Sequence, residues 1–192
     1  MRTALQVVVA LLAIAGLVAI AAAIGVVRGG FTARANASAL ESAIAETVVD
    51  AAVARAGGNG ARNPVTATPE VLARARRHFA RECAVCHAND GTGSPLGRAM
   101  FPPVPDLARS THDLTEAELF HVIENGIRWS GMPAFGRPGD EAAAREHWEL
   151  VAFIRHLPEL LDAELEEMRR FNPHVMEPEP ARPEGGGHHG HH

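Results

Sequence analysis

Cys83 and Cys86 are two residues apart, and His87 follows the second directly, in the run "RECAVCHANDG" at residues 81–91. The chain has no other cysteine. C-x-x-C-H holds the full donor set for covalent haem attachment. Two thiols add across the two vinyl groups of a porphyrin, and the adjacent imidazole reaches the iron. Two rival chemistries need only part of this set. A redox dithiol sits at a helix N-terminus after a strand, and here the motif follows a helical pattern. A tetrahedral zinc site would need two more ligands, with His112 and His121 as candidates, but no second cysteine pair or closely spaced histidine pair supports it. The spacing predicts one covalently held haem c.

The sixth iron position decides between electron transfer and ligand chemistry. Two methionines are candidates, Met100 in "GRAMFPPVPDL" and Met132 in "WSGMPAFG". Met132 stands between Gly131 and Pro133, where glycine allows close backbone approach and proline stiffens the segment carrying the sulfur. Met100 lies only thirteen residues beyond His87, which favours the same side of the ring as His87. Met132 is therefore the expected ligand, with a histidine or an open site as alternatives.

Helices must position these groups. "TATPEVLARARRHFA" has an N-cap in Thr68, a proline suited to the first turn in Pro69, and an apolar stripe of Val71, Leu72, Ala75 and Phe79 leading into the motif. "HDLTEAELFHVIENGI" has a capping box from Thr115 to Glu118 and a stop at Gly126. A further helix runs from after Asp140 to Pro158, and a short acidic one covers 159–171. No segment alternates convincingly as a strand, so an all-α body is expected.

Residues 3–27 carry no charge and, as a helix, would span about 37 Å, enough for a hydrocarbon core of about 30 Å. A cleaved secretory signal is the rival, but its apolar region is usually about 7–15 residues. Residues 1–30 are read as a transmembrane anchor and 31–67 as a juxtamembrane helix and linker. The domain follows at 68–158, and 159–192 is an acidic helix with a disordered histidine-rich tail. In 37–56, Leu40, Ile44, Val48 and Ala51/Ala52 form a stripe that would lie on the membrane or on the domain, or the segment is a solvated spacer.

The net charge is −5, and all eighteen cationic residues are arginine. No basic stripe suits nucleic acid, and no docking face can rest on lysine. His188, His189, His191 and His192 in the tail form a possible divalent-metal site.

Residues 68–158 resemble a class I monohaem cytochrome c domain, and the whole chain resembles bacterial membrane-anchored members with one N-terminal helix. The pieces that carry the resemblance are "FARECAVCH", "DGTG", "PDL", "TEAELFHVIENGI", "GMPAF" and "WELVAFIRHL". The resemblance implies Cys83 and Cys86 as thioether sites, His87 as proximal ligand and Met132 as distal ligand. It also implies that the Pro105 carbonyl accepts a hydrogen bond from the His87 ring, that Leu107 packs on the haem, and that Phe79 meets Phe153 or Trp148 where the first and last helices cross. Ala75 stands for a common glycine at that crossing. Ala88 stands for the frequent glycine after C-H, a change expected to matter little. Arg128 and Trp129 are candidate donors to a haem propionate.

The expected function is a membrane-anchored electron carrier rather than an enzyme. It would serve respiratory donors and acceptors from the periplasmic face of a bacterial inner membrane. A haem-based ligand sensor with an open sixth position, or metal handling through the tail, is the alternative.

Overall fold

The computed structural model describes residues 2–28, 38–57, 60–128 and 130–172. The chain divides into two compact units, residues 1–37 and 38–192. The first is the helix α1, Arg2–Arg28. Its stretch Thr3–Gly25 has a mean hydropathy of 3.0 and is long and apolar enough to cross a membrane. The α-helix satisfies its own backbone groups, which is what a lipid environment demands.

The second unit is all-helical among the described residues, with α2 (Ala39–Gly57), α3 (Pro69–His78), α4 (Ala84–His87), α5 (Pro95–Arg98), α6 (Leu107–Ser110), α7 (Glu116–Asn125), α8 (Glu141–His156) and α9 (Asp162–Phe171). Local chemistry sets several boundaries. The Thr68 side chain accepts from the Val71 N–H, Thr115 and Glu118 close a reciprocal capping box, and Asp140 accepts from the Ala143 N–H. Each such cap contributes about 1 kcal/mol. Gly126, at φ +63°, ends α7 in a conformation that few other residues adopt.

The core forms where α3 and α8 cross. Phe79 and Phe153 are fully buried with ring centroids 5.3 Å apart and tilted by 56°, and Ala75, 2% exposed, lies in the same cluster. Of the two aromatic partners expected for Phe79, Phe153 makes the contact. Trp148 instead stacks on Phe120 at 4.1 Å. Arg74 clamps the buried Glu149 of α8 through Nε at 3.2 Å and Nη2 at 2.7 Å. Below the crossing, α9 brings Met168 fully into the core, held by Arg76, which bonds both Glu164 and Glu167.

The expected apolar stripe of α2 is turned outward: Leu40 is 70% exposed, Ile44 56% and Val48 56%. Ser42, Ala45, Val49, Val53, Ala56 and Gly57 are the less exposed positions instead, and α2 packs on α7. Size explains the choice. At Gly57 a Cβ would lie 2.2 Å from the Glu118 Cγ, so only the small-residue face approaches α7 closely enough.

Candidate haem-attachment site

The attachment motif grows out of α3 through a change of helical pitch. Residues Phe79–Cys83 form one π-helical turn, closed by the Ala84 N–H to the Phe79 carbonyl. A π-turn inserts one extra residue into the repeat. It therefore rotates Cys83–His87 relative to the apolar stripe of α3, so that Phe79, Ala80 and Ala84 stay in the core and Cys83 packs against it.

α4 is only four residues long and would expose its last carbonyls. The "DGTGS" loop, residues 90–94, covers them. The Gly93 N–H bonds the His87 carbonyl at 2.9 Å, the Ser94 N–H bonds the Cys86 carbonyl at 2.9 Å, and the buried Ser94 hydroxyl bonds the Val85 carbonyl at 2.7 Å. The Ala88 N–H closes on the Ala84 carbonyl at 2.9 Å. The sequence contained this loop, but nothing in its composition announced that it caps the motif. Gly97 then sits directly on the motif: a Cβ there would lie 2.1 Å from the Cys86 carbonyl oxygen.

Ala88 corrects one expectation. It has φ +60° and ψ 167° and is 1% exposed. This region of backbone space is essentially reserved for glycine and costs other residues about 1–3 kcal/mol. The alanine after C-H therefore carries strain immediately behind His87.

Neither cysteine is in a disulfide. Burial first, then the neighbouring Glu82 and Cys86, pushes the Cys83 thiol up to about 12, and burial also raises Cys86. A working redox dithiol depends on a lowered thiol pKa, and burial acts in the opposite direction on both thiols here. Burial pushes the His87 imidazole down to about 4, leaving it neutral at physiological pH, the form that ligates a metal. Its Nδ1 is buried and makes no hydrogen bond.

The bond expected from the His87 ring to the Pro105 carbonyl is not among the hydrogen bonds of the described residues. Pro105 is exposed. Its segment is held on the capping loop instead, by the Val104 N–H to the Gly97 carbonyl at 3.1 Å and the Leu107 N–H to the Gly91 carbonyl at 2.9 Å. These two anchors fix residues 103–106 against residues 91–97. Leu107 is buried in the core cluster.

Met132 reaches the same apolar cluster, against which both it and Cys83 pack as partly buried side chains. Its loop is tied to the end of α7. The Ile127 N–H bonds the Met132 carbonyl at 3.1 Å, the Met132 N–H bonds the Ser130 hydroxyl at 3.1 Å, and the Phe135 N–H bonds the Ile123 carbonyl at 3.2 Å. Arg128 is exposed, while Trp129 lies outside the described residues. So do His188, His189, His191 and His192; among the described residues no cluster of three or more His, Cys, Asp or Glu is placed to hold a metal ion.

Two thiols and a neutral imidazole on one capped turn, with an unpartnered ring nitrogen and a thioether on the adjoining apolar cluster, fit haem c. Comparison with known proteins agrees. Residues 70–154 match the model of the family described as cytochrome C oxidase, cbb3-type, subunit III. No curated protein and no solved structure matches the chain. Residues 70–154 are thus a monohaem cytochrome c domain with covalently bound haem c, a haem-based electron-transfer domain in a polypeptide that also carries an N-terminal apolar helix.

Proposed function

We propose that the chain is a membrane-anchored carrier of single electrons between respiratory partners, with Cys83 and Cys86 as the thioether sites and His87 and Met132 as the axial ligands. The observation that carries this reading is the buried, unpartnered imidazole nitrogen of His87 on the same capped turn as both thiols. When bound, the haem supplies an iron that takes up and releases one electron.

The residues of the chain do the rest. In forming each thioether, sulfur bonds one vinyl carbon and the thiol proton goes to the other, so no external oxidant is consumed. The loop 90–94 keeps the turn carrying these groups from unwinding. A thioether from Met132 is neutral and favours the reduced state, which raises the potential. The exposed Arg128 guanidinium is available to pair a propionate. Because haem is attached outside the bacterial cytoplasmic membrane, α1 is read as a single-pass anchor with the haem domain on the periplasmic side. The family description fits either a free carrier or a subunit of an oxidoreductase complex.

The test is the visible spectrum of matured protein with and without Met132→Ala. Wild-type protein is expected to give a c-type reduced spectrum and, when oxidised, the weak long-wavelength methionine–iron band. Met132→Ala is expected to lose that band and to bind carbon monoxide. An unchanged spectrum in the variant would remove Met132 as ligand and revive the ligand sensor.

A further inference from the structure

The segment between the attachment motif and the Pro-Asp-Leu run forms a strap. At one end, the Ser94 N–H bonds the Cys86 carbonyl and Gly97 rests against that same carbonyl. The strap then folds on itself: the Gly97 carbonyl accepts the Met100 N–H at 3.3 Å and the Val104 N–H at 3.1 Å. At the other end, the partly buried Met100 side chain lies over Gly131. A Cβ on Gly131 would stand 2.5 Å from the Met100 sulfur, 3.3 Å from its Cε and 3.6 Å from its Cγ. A side chain on residue 131 would displace the Met100 thioether, and the next residue is Met132.

A continuous line of contact thus runs from Cys86 through Gly97 and Met100 to the backbone bearing Met132. On its other side the methionine loop is held by α7, through the Ile127 and Phe135 bonds. Between those two supports lies Gly131, which has no side chain of its own to pack. A methionine is well suited to fill such an irregular gap, being unbranched, apolar and adaptable.

We propose that Met100 is a positioning residue for the distal ligand: its thioether braces Gly131 and fixes how far the Met132 sulfur stands from the Cys86–His87 turn. The inference rests on the reading of Met132 as the sixth ligand. Without the brace, the loop is free to draw back toward α7, and the bond from Met132 weakens. Since the neutral thioether favours the reduced state, a weaker bond lowers the potential.

The experiment compares full-length, haem-loaded wild type with Met100→Ala, Met100→Leu, Gly131→Ala and Met132→Ala, reading the long-wavelength methionine–iron band and the reduction potential. Met100→Ala is expected to lose part of the band and to shift the potential downward. Gly131→Ala drives a methyl into the Met100 sulfur and is expected to shift both readouts the same way. Met100→Leu restores apolar bulk without sulfur and is expected to stay near wild type, which also guards against a simple folding defect. If Met132→Ala abolishes the band while Met100→Ala leaves band and potential unchanged, the ligand reading stands and the brace is refuted. If Met132→Ala keeps the band and Met100→Ala removes it, Met100 is itself the ligand and both statements fall.

Discussion

His147 Nδ1 lies 2.6 Å from the Glu124 Oε1, joining the buried face of α8 to the end of α7 from which the methionine loop departs. His147 is 4% exposed, so its ring has no water to turn to if this partner is removed. Glu124→Ala is expected to destabilise the protein by about 1–3 kcal/mol, the cost of leaving a buried polar group unsatisfied. Glu124→Gln keeps an acceptor and should cost less. Urea unfolding of the two variants checks the order; equal midpoints would show the bond to be inconsequential.

Ala88→Gly should stabilise the chain. Relief of the positive-φ strain, about 1–3 kcal/mol, exceeds the extra backbone entropy of glycine, about 0.5–1 kcal/mol. A rise in the urea midpoint of the haem-loaded protein is the expected outcome, and a fall would mean the backbone there is not strained.

Gly97→Ala should act in the opposite direction. The added methyl meets the Cys86 carbonyl, so either the strap or the attachment turn must move, at about 1–3 kcal/mol for such overpacking. Because the turn carries the thioether sulfurs, less haem should resist extraction into acidified acetone than in wild type. Full retention of haem together with unchanged stability would contradict the close contact.

Acid should loosen α9 before the rest of the domain. Burial raises the Glu164 carboxyl, but this is outweighed by the Leu161 N–H, His156 and Arg76, leaving its pKa below the ordinary 4.5. A carboxylate whose folded pKa is depressed contributes stability above its unfolded value and loses it as the pH falls through the folded one. The docking of α9 through Arg76 is therefore expected to hold at neutral pH and to weaken below about 4.5. Hydrogen exchange across residues 162–171 should quicken there ahead of α3 and α8, and uniform exchange at low pH would count against it.

Much of this architecture was legible in the residues because it depends on near neighbours. Thr68, Thr115 with Glu118, Gly126 and Asp140 mark helix ends through bonds made within three or four positions, and the apolar periodicity of α3 and α8 specifies which sides meet. Other features needed partners far along the chain. The π-turn at Phe79–Cys83 has no compositional signature. The outward rotation of Leu40, Ile44 and Val48 follows from how closely α7 approaches Gly57. The course of residues 103–106 follows from anchors on Gly91 and Gly97.

The sequence by itself determined the chemistry, since C-x-x-C-H places two thiols and an imidazole within five residues and no fold can separate them. It also determined an apolar N-terminal helix long enough for a bilayer, because length and absence of charge are properties of the string. Tertiary structure alone decided the environment of those groups. Before haem is attached, burial lowers the pKa of His87 and raises that of Cys83, since desolvation depends on everything packed around a group. It likewise decided that Met100, thirteen residues beyond His87, lies on Gly131, thirty-one residues further along the chain. Such contacts form only when the whole core closes and brings distant segments within van der Waals reach.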